Sequence, residues 1–120
     1  LVGSEMCIRG SLVRALAAEP KLMLLDEPFG AIDAITRSAL QDEILKIHRG
    51  SSKTFVFVTH DIAEAFKLGT KVLIIDKGVV QQYDKPEEIQ RHPATDFVRR
   101  LLHSDSCLAR QGFVDEGAAI

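Results

Sequence analysis

Three short apolar runs constrain this chain more than any other feature. They are "LMLL" at Leu22–Leu25, "FVFV" at Phe55–Val58 and "VLII" at Val72–Ile75. None alternates with polar residues. A strand with one wet face alternates, so a continuous run predicts a strand buried on both faces. Between the first two, Leu40, Ile44 and Ile47 recur at helical spacing. Asp33 is placed to cap that helix, which runs to about His48, and Gly50 to stop it. A helix is also predicted over Met6–Ala18, ending before Pro20. "DIAE" at Asp61–Glu64 reads as a capping box opening a short helix that ends near Gly69. Strands alternating with helices in this order predict an α/β fold with a parallel sheet covered on both faces.

Beyond the third run, "DKG" at Asp76–Gly78 is a tight turn into a fourth strand, "VVQQYD". Pro86 and Pro93 are placed as first-turn prolines of two short helices. The second of these has an apolar face of Phe97, Val98, Leu101 and Leu102. Residues 1–102 are expected to form the folded part. Residues 103–120, where periodicity fades, are expected to form a loose tail.

Composition narrows the function classes. The 120 residues carry a net charge of −2, which gives no electrostatic case for nucleic acid, a partner that usually needs a basic face. Apolar runs of about five residues fall far short of the ~20 that span a bilayer. The first ten residues have neither the basic start nor the apolar core of a signal peptide. Cys7 and Cys107 are far apart, match no metal spacing and read as free thiols.

The first apolar run ends on two adjacent acids, Asp26 and Glu27. The second is followed by His60 and the third ends on Asp76. In a parallel sheet with right-handed crossovers these strand ends share one edge, where ligands bind. Carboxylates are hard oxygen donors suited to Mg²⁺, one or two of them acting with waters and substrate phosphates. A second acid beside the metal can orient or deprotonate an attacking water. The pair therefore fits a nucleotide hydrolase. Asp76, before Lys-Gly, needs no chemistry beyond its turn.

"RALAAEPKLMLLDEPFGAID" (Arg14–Asp33) together with "VFVTHD" (Val56–Asp61) resembles the ATP-binding subunit of ABC transporters. The resemblance runs from about Met6 to Leu102 and concerns the second half of the nucleotide-binding domain. It implies part of a P-loop NTPase fold of the RecA-like type. By position, Asp26 ends the Walker B strand and would hold Mg²⁺ through water. Glu27 matches the catalytic glutamate that polarises the attacking water. His60 matches the switch histidine near the γ-phosphate. Ala31–Asp33 match the D-loop, which meets the second ATP-binding subunit of a sandwich dimer and places Asp33 at the nucleotide. Gly3 and Ser4 fall at positions of the family signature that meet the partner's γ-phosphate, at a helix start suited to anions. Arg9 and Arg14 match family arginines.

The resemblance further implies ATP and Mg²⁺ as ligands, transmembrane permease subunits as partners, and a substrate-binding protein met indirectly. It implies a peripheral location on the cytoplasmic side of the membrane. "DEPFGAIDAITR" and "VFVTHDIAEAFKLG" look most like importers of glycine betaine, choline and related osmoprotectants. The tail falls where some members continue into regulatory CBS modules.

Two features depart from the family pattern. Glu5 stands at a signature glycine, placing negative charge where phosphate should approach. No Gly-x-x-x-x-Gly-Lys-Ser/Thr occurs, and "GSSKT" (Gly50–Thr54) lacks the second glycine and precedes a strand. The 120 residues alone are therefore expected to bind ATP weakly or not at all. A catalytically inactive remnant or assembly module is the alternative reading. Half of such a sheet also leaves an exposed edge or face, which favours association of the isolated chain.

Overall fold

Local sequence signals fix most of the element boundaries. In the computed structural model, backbone is described for residues 2–104 and side chains from residue 8. Helix α1 spans Val2–Ala17, strand β1 Leu22–Asp26, helix α2 Ala34–Arg49 and strand β2 Thr54–Val58. Helix α3 (Ile62–Leu68), strands β3 (Val72–Asp76) and β4 (Val79–Asp84), and helices α4 (Pro86–Arg91) and α5 (Asp96–Ser104) follow. The chain divides into two units, Leu1–His60 and Asp61–Ile120.

In the first unit β1 and β2 run parallel, with Leu22 opposite Thr54 and Asp26 opposite Val58. The Thr54 N–H donates to the Lys21 carbonyl at 3.0 Å, closing the near end of the ladder. Leu12, Met23, Phe29, Ile32, Leu40 and Ile44 are buried. The His48 ring meets Phe55 edge-on, with centroids 5.2 Å apart, so the end of α2 touches β2. Arg9 of α1 pairs with Glu43 of α2 at 3.2 Å. Both side chains are about half exposed, which limits the pair to ~0.2–1 kcal/mol.

The second unit is built on a hairpin. Lys77 and Gly78 have φ of 48° and 77°. Two positive values make the mirror-image turn that matches strand twist. Strands β3 and β4 then pair antiparallel, with Asp76 opposite Val79. The register slips between Ile75, opposite Val80, and Ile74, opposite Gln82, leaving Gln81 as the extra residue of a bulge. Val72, Ile74, Ile89 and Val98 form the core, flanked by Ala65, Phe66, Phe97, Leu101 and Leu102. The Gln82 side chain donates to the His92 carbonyl at 3.0 Å and accepts from the Ala94 N–H at 2.8 Å. One side chain thus fastens the link between α4 and α5.

The sequence reading needs four corrections. Helix α1 begins at Val2, four residues before Met6, so Gly3 and Ser4 lie in its first turn rather than before it. Strand β1 is not covered on both faces: Leu22, Leu24, Val56 and Val58 share a face and are 40–68% exposed. Strand β3 pairs with β4, as the turn at Asp76–Gly78 predicts, in a sheet separate from β1–β2, so among the described residues parallel pairing is seen for β1 and β2. Pro93 precedes α5 instead of entering its first turn, and Thr95 is the cap, its hydroxyl accepting from the Val98 N–H at 3.2 Å. The expected tail and Cys107 lie outside the described residues.

Among the described residues no helix is long and apolar enough to cross a membrane. One glycine is fixed by packing. A Cβ on Gly69 would sit 2.8 Å from the Ala65 carbonyl, 3.1 Å from that of Lys71 and 3.2 Å from a Val72 methyl. Two of these are backbone and cannot swing away. Gly69→Ala is expected to cost ~1–3 kcal/mol in chemical denaturation, as overpacking does.

Candidate active site

The site begins where β1 leaves the sheet. The Glu27 N–H donates to the Val58 carbonyl at 2.7 Å, carrying the parallel ladder one residue past the strand. Glu27 has a φ of 44°, in the left-handed region. That conformation costs a non-glycine residue roughly 1–2 kcal/mol. The chain then turns over Pro28 and Phe29, and the Gly30 N–H donates to the Glu27 carbonyl at 3.3 Å. Proline second and glycine fourth suit such a turn. The Ile32 N–H donates to the Phe29 carbonyl at 3.4 Å. Phe29 and Ile32 are both buried and anchor the loop from below.

Asp33 ends the loop and starts α2. Its carboxylate accepts from the Thr36 N–H at 3.2 Å. Hydrogen bonds from Thr36, first its hydroxyl and then its backbone N–H, hold the Asp33 carboxyl below its ordinary pKa. The Arg37 guanidinium reaches back and donates to the Ile32 carbonyl at 3.0 Å.

Strand β2 delivers His60 to the same edge. Its Nδ1 lies 2.8 Å from one Glu27 carboxylate oxygen and 2.9 Å from the other. An ionised carboxylate only accepts, so Nδ1 carries the proton. The His60 side chain is 81% exposed and that of Glu27 42%. The pair is thus held from the sheet yet open to a ligand. Each carboxylate oxygen has two lone-pair sites, so one N–H leaves Glu27 capacity to accept from a water.

Asp26 is exposed at the tip of β1. Among the described residues no group of three or more His, Cys, Asp or Glu forms a metal cage. Of the residues singled out from sequence, Asp26, Glu27, His60 and Asp33 lie on or beside one strand edge. Gly3 and Ser4 are placed only as backbone in the first turn of α1. Two residues of the loop and its helix, Arg37 and Gly30, were not singled out from sequence. Arg37 carried no signal beyond lying one helical turn after the cap. Gly30 is the other: a Cβ there would meet Glu27 Oε2 at 3.9 Å. The glycine signal in "EPFG" marks a turn, and a Cβ there would make only ordinary contacts with Glu27.

The chain can now be set beside known proteins. It is 51% identical over 94 residues to the glycine betaine/carnitine/choline transport ATP-binding protein OpuCA of Bacillus subtilis, covering 78% of this chain and 25% of that protein. It is 44% identical over 112 residues to the carnitine transport ATP-binding protein OpuCA of Listeria monocytogenes, covering 93% and 28%. The sulfate/thiosulfate import ATP-binding protein CysA of Pseudomonas putida is 45% identical over 101 residues, covering 84% and 31%. No protein-family model matches the chain. Over the matched residues the chain belongs with the ATP-binding subunits of ABC importers. It spans about a quarter to a third of the length of these relatives.

The Asp33 cap has a pH signature. A carboxyl whose pKa is lowered on folding stabilises the fold above its unfolded value, near 3.8, and loses that contribution as pH falls through the folded value. Asp33→Ala is therefore expected to be less stable than the parent at neutral pH, with the gap closing in strong acid. Denaturant unfolding across the acid range checks this, and a gap independent of pH would contradict it.

Proposed function

We propose that this chain is the carboxyl-terminal part of the nucleotide-binding domain of an ABC importer ATPase, with residues 1–102 as its folded portion. The observation that carries the reading is the contact of His60 with both oxygens of Glu27 at the ends of two parallel strands, beside Asp26. The matched relatives, named as transport ATP-binding proteins, support it.

In this reading Asp26 would hold Mg²⁺ through water. The ion, when bound, would neutralise charge on the nucleotide phosphates. Glu27 orients and polarises the attacking water with the acceptor capacity that His60 leaves it. His60 keeps its Nδ1 proton on Glu27 and turns the opposite edge of the ring, Nε2, toward the γ-phosphate. The loop ending at Asp33 meets the second ATP-binding subunit. Gly3 and Ser4, in the first turn of α1, face that subunit's nucleotide. The phosphates themselves require a glycine-rich cradle, which these 120 residues do not contain.

The cargo is proposed to be a quaternary ammonium osmoprotectant of the glycine betaine or choline kind, taken up through permease subunits and a substrate-binding protein. The subunit would then sit on the cytoplasmic face of the membrane. Matches at 49–51% to proteins named for glycine betaine and choline support that cargo. Glu5 at a signature glycine favours a second reading, a subunit that assembles but does not hydrolyse ATP.

Glu27→Gln decides between them. In the native gene product it should lower ATP turnover ~10²–10⁴-fold, the contribution of a positioned base, with ATP affinity little changed. Phosphate release and nucleotide binding measure the two separately. Turnover equal to the parent's would contradict the role of Glu27, and a parent without turnover would favour the inactive subunit.

A further inference from the structure

The loop from Glu27 to Asp33 joins the acid at the end of β1 to the cap of α2, yet its own hydrogen bonds are long. The Gly30 and Ile32 amides donate at 3.3 and 3.4 Å, beyond the usual range for N–H···O bonds. Buried Phe29 and Ile32 hold the loop down, but apolar contacts are not directional. A directional tie comes from outside the loop. Arg37 Nη2 donates to the Ile32 carbonyl at 3.0 Å. The Arg37 backbone N–H also donates to the Asp33 carbonyl at 2.9 Å. The backbone bond is the regular first bond of α2, so it is the side chain that adds a tie, to the carbonyl just before the cap.

The guanidinium suits this task. It is always charged, its donors are rigidly placed, and a charged donor makes a stronger bond to a carbonyl than a neutral one. Arg37 is half-buried, so water competes weakly for the contact. The Ile32 side chain is buried, so fixing its carbonyl also fixes the peptide plane leading to Asp33. Backward along the chain, the Ile32 and Gly30 amides hand the constraint to Phe29 and then to the Glu27 carbonyl. Glu27 is already held in a costly left-handed conformation, which persists only where its surroundings over-determine it.

We propose that Arg37 is a positioning residue: through the Ile32 carbonyl it holds the loop whose two ends place the Glu27 carboxylate and the Asp33 cap. This deepens the hydrolase reading and rests on it for its functional consequence. The structural part stands on the hydrogen bonds alone.

The test is amide hydrogen exchange on the native gene product with Arg37→Ala. Exchange at the Gly30 and Ile32 amides should quicken ~10-fold or more, while amides of β1 and of Leu40–Ile44 keep their rates. Arg9→Ala, which removes an exposed ion pair in the same unit, should leave the loop unchanged. Should Arg37→Ala fail to fold, Arg37→Lys replaces it, because lysine keeps the charge but loses the fixed fork. Loop-selective quickening in either variant supports the proposal. Unchanged exchange at both amides, or uniform quickening across the unit, overturns it. Steady-state ATP turnover on the same samples separates this from the underlying reading: kcat should fall with KM for ATP nearly unchanged. A parent protein without turnover would overturn the hydrolase reading and leave the exchange rates to judge the tie.

Discussion

The Glu27 N–H bond to the Val58 carbonyl is the contact on which the rest of the site depends. It extends the β1–β2 ladder past the last strand residue, so the acid stays tied to the sheet although its backbone has begun to turn. With Glu27 fixed there, a histidine two residues past β2 comes within hydrogen-bond reach of its carboxylate. Parallel pairing is what makes this possible, because both strands then end on the same edge. The left-handed φ of Glu27 is the conformational cost of aiming the carboxylate along that edge. Glu19 and Lys77 also have positive φ, so it is the contact with His60 that singles Glu27 out, not the conformation alone.

Much of the fold was legible in the sequence because the signals were local. Asp33 and Asp61 both cap the helices assigned to them, the latter accepting from the Glu64 N–H at 3.1 Å. Gly50 and Gly69 both end helices, and "DKG" makes the hairpin. What failed was non-local. A continuous apolar run states that a strand can be buried on both faces, and β1 shows that it need not be within these residues alone. Three apolar runs do not state which sheet each joins, and β3, paired with β4 through the expected hairpin, is in a sheet separate from β1 and β2. Pro93 misled for a different reason. Proline marks a helix start only approximately, and Thr95, two residues on, offered a hydroxyl that proline lacks.

Of the candidate site, the strand ends brought out Asp26, Glu27 and His60, while Asp33 entered as a site residue only through the family resemblance; parallel topology accounts for the meeting of Glu27 with His60. The hold on the loop was not legible. An arginine four residues after a cap has many possible partners, and only the fold shows that it reaches the Ile32 carbonyl. Relatives named for glycine betaine, for carnitine and for sulfate all match these residues at 44–51% identity. Identity to the relatives named for glycine betaine or choline, 49–51%, exceeds the 45% to the one named for sulfate, and the proposed cargo rests on that margin.

The central claim is that Glu27, His60 and Asp26 form the hydrolytic face of a larger nucleotide site. The most direct measurement is the intact mass and amino-terminal sequence of the native gene product. The account predicts a mass well above 13.2 kDa, with a Gly-x-x-x-x-Gly-Lys-Ser/Thr loop upstream in the same frame. A native product made of these 120 residues alone would contradict it, since nothing would then cradle the phosphates that the acid pair is placed to serve.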